Sequence, residues 1–236
     1  MKLIRHTLLA CSLMIFSSLT SGAYADSKPL PKLAQNMLEA TKDFDKIPAV
    51  RKTEIKKIAD YIIEKLKTEK KVSLIYICVH NSDRSFMGQL WATAAANYYG
   101  IKGVNAYSGG LIITAFNPNV IKALNGQGYQ IVKTFDTANP RYDARYSADA
   151  APVVCFSKKY MDTPNPVKNF AAVTTCTEAD ESCPLVQGAS LRVSTPYKAV
   201  RDADGKPNQD EVYSERSRQM ETEILYCFSL VKAAGL

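Results

Sequence analysis

Apolar and polar positions follow two rhythms along this chain. From Val50 to Lys70, apolar Ile55, Ile58, Ala59, Ile62, Ile63 and Leu66 recur at helical spacing among lysines and glutamates. That pattern predicts an amphipathic helix with one buried face. Val72-Ser73-Leu74-Ile75-Tyr76-Ile77 is instead a short, nearly continuous apolar run, as in a strand buried on both faces. Phe86 to Tyr99 is rich in good helix formers, with Gly100 suited to end it. A second strand is expected around Val104 to Tyr107, followed by Ser108-Gly109-Gly110. Pro118 fits the first turn of a helix ending near Asn125-Gly126. Val153–Phe156 and Phe170–Thr175 are further short apolar runs. Glu211 to Ala234 reads as a long helix with Met220, Ile224, Leu225, Phe228 and Val231 on one side.

Strands alternating with helices predict an α/β domain around a mainly parallel sheet. Ligands of such sheets bind beyond the carboxyl ends of the strands, and Cys78 stands at the carboxyl end of the first one. Three regions are expected. Residues 1–25 read as a cleaved secretion signal, residues 26–71 as an arm followed by the amphipathic helix, and residues 72–236 as the main domain. The arm is polar up to Pro48 and carries Pro29 and Pro31, so it reads as loose, with one short helix. The stretch from Lys133 to Pro166, rich in Tyr, Asp, Asn and Pro, reads as a loop-rich insertion able to shape the rim of a site.

The signal rests on Lys2 and Arg5 at the start, a mostly apolar Leu8–Leu19, and small residues at Ala23-Tyr24-Ala25. It predicts export to the periplasm or the medium after cleavage near Ala25. The apolar stretch is too short for a comfortable membrane span, and no later segment qualifies, so a membrane-embedded protein is not expected. Losing Lys2 and Arg5 takes the formal charge from +7 to +5. That excess suits a small anionic substrate, and no basic, aromatic-interleaved patch argues for nucleic acid. Cleavage leaves five of the six cysteines, namely Cys78, Cys155, Cys176, Cys183 and Cys227. Exported chains pair their cysteines, so an odd number leaves a thiol that needs a role.

Cys78-Val79-His80-Asn81-Ser82-Asp83-Arg84-Ser85 offers one. A cysteine after a buried strand and an arginine before a helix place several main-chain N–H groups, and the positive end of the helix, around one point. An oxyanion fits that cradle, and Arg84 can clamp two of its oxygens in a fork. The same positive field favours a thiolate, so one loop prepares the nucleophile and stabilises charge on the transferred group. Ser85 can donate to the sulfur when it leaves. Candidate oxyanion-binding residues are therefore His80, Asn81, Ser82, Asp83, Arg84 and Ser85. An acidic Asp83 weakens binding there unless it points away. A Cys–His dyad of Cys78 with His80 is sterically unsuitable within so tight a turn.

Ile77 to Ser85, the helix opening Phe86-Met87, and Ser108-Gly109-Gly110 together resemble the low-molecular-weight protein tyrosine phosphatase superfamily, close to its thioredoxin-coupled arsenate reductase branch. The likeness covers roughly residues 72–236. It implies a three-layer fold with a four-stranded parallel sheet flanked by helices, Cys78 as nucleophile, Arg84 as anion clamp, Asn81 as the shaper of the loop and Ser85 as helper of the thiolate.

Cys176-Thr177-Glu178-Ala179-Asp180-Glu181-Ser182-Cys183-Pro184 resembles the redox segment of those reductases. The resemblance implies a relay in which Cys176 attacks the arseno-thiolate on Cys78, arsenite leaves, and Cys183 resolves the resulting disulfide. A thioredoxin-like reductant then restores the thiols, with no bound cofactor. In a continuous helix the two cysteines lie about 10 Å apart along the axis, beyond the ~7 Å a disulfide allows between Cα atoms. A helical segment must therefore unwind to complete the cycle. A plain structural Cys176–Cys183 disulfide is the alternative. A zinc site lacks further Cys or His at ligand spacing, so no metal is expected. Cys155 and Cys227 sit among apolar residues and read as core.

The phosphatases also use an aspartate as general acid, usually before a proline. Here Pro196-Tyr197 is followed by Lys198-Ala199-Val200-Arg201, with Asp202 and Asp204 a few residues on. Asp204 is taken as the candidate acid, although both aspartates also suit a solvated turn before Gly205. Three functions stay open: arsenate reduction through Cys78, Cys176 and Cys183; hydrolysis of phosphotyrosine or small phosphomonoesters; and an oxyanion-binding module that no longer turns over.

Overall fold

The computed structural model describes residues 27–182 and 185–236. The expected signal with its cleavage site near Ala25, and Cys183, lie outside the described residues. In chain order the elements are α1 (Pro31–Thr41), α2 (Ala49–Glu69), β1 (Val72–Cys78), α3 (Arg84–Tyr98), β2 (Val104–Gly110), α4 (Pro118–Gly126), β3 (Gln130–Phe135), β4 (Arg141–Arg145), β5 (Val153–Cys155), β6 (Phe170–Thr174), α5 (Thr177–Ser182), β7 (Ala189–Ser194) and α6 (Gln209–Ala233). The fold is α/β, with a four-stranded parallel sheet in the order β2-β1-β6-β7 flanked by helices.

The apolar run of β1 is explained by its place. It pairs with β2 from Val72 opposite Val104 to Cys78 opposite Gly110, and with β6 from Leu74 opposite Ala171 to Ile77 opposite Thr174. A central parallel strand is covered on both faces. Leu74 and Tyr76 join the large core shared with α2, α3 and α6, whereas Ile75 and Ile77 pack with Phe170, Ala172 and Val186 in a smaller cluster. Each such side chain contributes roughly 1.5–3 kcal/mol by leaving water. Gly88 lets α3 lie close on this strand: a Cβ there would come 2.4 Å from the Tyr76 ring. That contact sets the start of α3 over the end of β1.

Two expectations need correction. The arm before Pro48 is not loose. Its helix α1 starts with Pro31 in the first turn and buries Leu33, Met37 and Ala40 completely. The segment from Lys133 to Pro166 is not simply loop-rich either. Strands β3, β4 and β5 form an antiparallel sheet within residues 130–155. Val153 to Cys155 belongs to that sheet and not to the parallel one. The strands hold only six, five and three residues and between them bury only Ile131, Tyr142, Ala144 and Cys155. Only the last is marked by an apolar run, Val153–Phe156, and nothing in that run tells which sheet it joins. Phe116 joins this sheet to the core, stacking on Phe86 with ring centroids 3.9 Å apart and on Tyr142 at 6.0 Å. Strand β7 also escaped the sequence reading. It is an outer strand in which Leu191 and Val193 alternate with Ser190, Arg192 and Ser194. Among the described residues no helix is long and apolar enough to cross a membrane.

Candidate active site

The loop from Cys78 to Ser85 leaves the carboxyl end of β1 and enters α3. Its shape is held from within. Asn81 adopts a left-handed backbone conformation, φ 45°, which asparagine tolerates better than most residues. The Asn81 side chain donates to Ser85 Oγ at 2.9 Å and accepts from the Lys158 amide at 2.9 Å. Ser85 Oγ lies 3.0 Å from Cys78 Sγ. With Asn81 donating into the serine oxygen, the hydroxyl hydrogen is the one left for the sulfur. The His80 carbonyl accepts from Thr114 Oγ1 at 2.9 Å and Ser157 Oγ at 3.2 Å, and the Ser82 carbonyl from the Asn117 amide at 3.0 Å. Gly110 permits the close approach of β2, since a Cβ there would lie 2.8 Å from the Asn81 nitrogen.

Charge in the loop is arranged around Asp83. Its carboxylate caps α3, accepting from the Arg84 amide at 2.6 Å, and lies 3.5 Å from Arg84 Nε and 3.3 Å from Arg201 Nε. Arg201 also donates to Ser82 Oγ. The acidic residue is therefore neutralised by two arginines. As a candidate anion ligand, Asp83 therefore offers its main-chain N–H rather than its carboxylate. Arg84 NH1 donates to the Tyr197 carbonyl at 3.0 Å and lies 3.9 Å from Glu178 Oε2. Burial works against the Arg84 charge, but Asp83, Cys176, Cys78 and Glu178 outweigh it and raise its pKa. It stays a guanidinium beside the sulfur.

The structure brings Cys176 to Cys78. The two thiols pack together with Ala179 and Val79, and both are free and buried. Burial pushes the Cys176 thiol up to about 11, against the pull of Arg84 and of the Ala179 and Val79 amides. Glu178, the second residue of α5, is held below the usual carboxylate range first by its own main-chain amide, and then by Arg84, the Cys176 thiol and His80. Cys155 and Cys227 are free and buried elsewhere in the core.

Asp204 follows a short 3-10 turn, Arg201–Ala203, and lines a pocket of about 470 Å³ with Ser82, Thr114, Phe116, Asn117, Asn119 and Arg201. Its oxygens accept from the Tyr213 hydroxyl at 2.6 Å, Asn119 Nδ2 at 3.2 Å and Asn117 Nδ2 at 3.4 Å. Asp202 is exposed. The sequence reading missed Arg201, Tyr197 and Glu178. Arg201 stands in the stretch where a general acid was sought, and its positive charge was the only signal available. Tyr197 takes part through its carbonyl, which no side-chain pattern reveals. Among the described residues no group of three or more His, Cys, Asp or Glu could hold a metal ion.

No known family model matches the chain, and no curated protein does. In fold it is similar to a low-molecular-weight phosphotyrosine phosphatase from Vibrio cholerae O395, at 12% identity over 66% of this chain and 93% of that one, with a TM-score of 0.45. It is also similar to the YwlE arginine phosphatase from Geobacillus stearothermophilus, at 14% identity over 69% and 94% of the two chains, TM-score 0.42. A third similar structure is a thioredoxin-dependent arsenate reductase from Corynebacterium glutamicum, at 18% identity over 79% and 81%, TM-score 0.37.

Proposed function

We propose that the chain, exported and cleaved near Ala25, is a thiolate enzyme acting on a phosphate-like oxyanion, and that its principal reaction is the reduction of arsenate through Cys78, Cys176 and Cys183. The observation that carries this reading is the packing of the free Cys176 thiol against the free Cys78 thiol, beside Arg84 and at the end of a helix-capped loop. A structural disulfide on Cys176 has no use for that neighbour.

The steps are those that the resemblance to the reductases implies. The Cys78 thiolate attacks arsenic, an arsenate hydroxyl leaves and takes a proton from solvent to become water, and an S–As(V) bond forms while Arg84 and the loop N–H groups take the negative oxygens. Cys176, as thiolate, then attacks the Cys78 sulfur. The S–As electron pair goes to arsenic, As(V) becomes As(III), arsenite leaves, and the two sulfurs are oxidised to a disulfide. Cys183 attacks Cys176 in turn, and Cys78 departs as a thiolate that accepts the Ser85 hydrogen. A thioredoxin-like dithiol finally reduces the Cys176–Cys183 bond. Because burial holds the Cys176 proton, its release needs an acceptor, and the Glu178 carboxylate beside it serves.

A second reading, hydrolysis of a phosphomonoester through a phospho-cysteine, is favoured by the pocket that adjoins Ser82. It gives room for a leaving alcohol, with Asp204 on its wall as proton donor. Disulfide mapping of the reduced protein before and after arsenate separates the two, with phosphate-treated and untreated samples as controls. The reductase forms a Cys78–Cys176 or Cys176–Cys183 bond only with arsenate. Unchanged sulfurs, together with aryl phosphate hydrolysis that disappears in Cys78→Ser, establish the phosphatase and end the relay.

A further inference from the structure

Arg84 is gripped from two directions, by Asp83 on its own loop and by the main-chain carbonyl of Tyr197. Tyr197 belongs to the irregular stretch after β7, so its position depends on what its own groups hold. Its amide donates to the Thr175 carbonyl at 3.1 Å, next to Cys176. Its hydroxyl donates to Glu223 Oε2 on α6 at 2.7 Å. Glu223 also accepts from Gln219 Nε2 at 2.9 Å and faces Arg51 Nε of α2 at 3.4 Å. The Arg51 guanidinium lies 4.9 Å from the centre of the Tyr197 ring and donates to the Pro196 carbonyl. The Glu223 and Arg51 side chains are only 4% and 16% exposed, so solvent screens the pair little.

We propose that Arg51 and Glu223 are positioning residues for the oxyanion clamp, acting on Arg84 through Tyr197. A carbonyl on NH1 fixes how the guanidinium is turned, and a long side chain released from it regains rotamers that anion binding must then freeze. Arg51 lies on α2, ahead of the β1–loop–α3 unit that carries Cys78. The N-terminal helices are therefore part of the working site. Because Tyr197 also reaches Thr175, the same brace sets Arg84 relative to Cys176. This inference rests on the oxyanion reading above, and its test is kept apart from turnover.

Inorganic phosphate is titrated calorimetrically into the full chain and into Tyr197→Phe, Glu223→Gln, Arg51→Met, Arg51→Lys and the Arg51→Met/Glu223→Gln pair, with a melting temperature for each. Alkylation of Cys78 by iodoacetamide, with and without phosphate, reports the same site independently. Tyr197→Phe, Glu223→Gln and Arg51→Met are expected to weaken phosphate binding about tenfold. The double variant should lose no more than its worse single parent, since both act along one chain of contacts. Arg51→Lys, which keeps a charge beside Glu223, should recover part of the loss. Folded variants that bind phosphate like the parent overturn the proposal. So does a loss that follows the melting temperature alone, without recovery in Arg51→Lys. Tyr197→Phe removes only a hydroxyl and decides the matter by itself where the charge variants do not fold. A parent protein that neither binds phosphate nor gains protection of Cys78 is a different failure, and it sinks the oxyanion reading itself.

Discussion

The loop that carries Cys78 and the segment that carries Cys176 meet at one point, yet they are anchored differently. Between Cys78 and Ser85 the loop is bonded to Thr114, Asn117, Ser157, Lys158 and Arg201, contacts drawn from three other stretches of chain. Asn81, Ser82 and Ser85 are fully buried. The Cys176 segment is a helix of six residues, α5, with Glu178 largely exposed. Its polar anchor is Asp180, which accepts from Thr174 Oγ1 at 2.7 Å and pairs with Arg192. A nucleophile that must meet an oxyanion in one geometry gains from the first construction. For a thiol that attacks one sulfur and is then attacked by another, as the proposed relay asks of Cys176, the second construction is the suitable one. The difference teaches that the two partners of the proposed relay are held by different numbers of contacts.

The largest effect expected is on the rigid side. Cys78→Ser should remove arsenite release and aryl phosphate hydrolysis alike, by at least about 10³-fold, in steady-state assays of each. Cys176→Ser separates the regions. Arsenite release should fall about 10²-fold or more, while hydrolysis stays within about twofold, because only the redox step uses that sulfur. Equal loss of both activities would break the division of labour. The third effect is one of pH. With the Cys176 thiol pushed up to about 11, its thiolate fraction grows about tenfold per pH unit below that value. Formation of the Cys78–Cys176 bond should accelerate accordingly as the pH is raised, and Glu178→Gln should slow it without changing alkylation of Cys78. Asp180→Asn gives the smallest effect. Weakening its bonds to Thr174 and Arg192 should loosen α5 by about 1–3 kcal/mol, seen as faster hydrogen exchange in residues 177–182 with β1 unchanged. Equal exchange in α5 and β1 would show that the two regions are not separately anchored.

How much was legible depended on where each signal resides. The β1 run, the α2 periodicity and the Pro118 start are local patterns, and the structure places all three as read. The Cys78–Ser85 loop was legible because its spacing, its strand and its helix are contiguous. The second sheet was not, since its strands bury only one or two residues each. In the arm a short helix was read but not its buried face, since Leu33, Met37 and Ala40 needed α6 to become one. Asp83 read as a weakness of the site, and only Arg201, more than a hundred residues away in the chain, turns its carboxylate into a cap with two arginine partners.

By itself, the sequence determined the parallel α/β core and the position of a nucleophile-and-arginine loop at a strand end, because both depend on residues adjacent in the chain. The tertiary structure alone decided that Cys176 lies against Cys78, that Asp204 sits across a pocket from Ser82, and that Arg51 and Glu223 reach Arg84 through Tyr197. Those relations join residues far apart in sequence. They exist only once a common core has brought their helices and strands together.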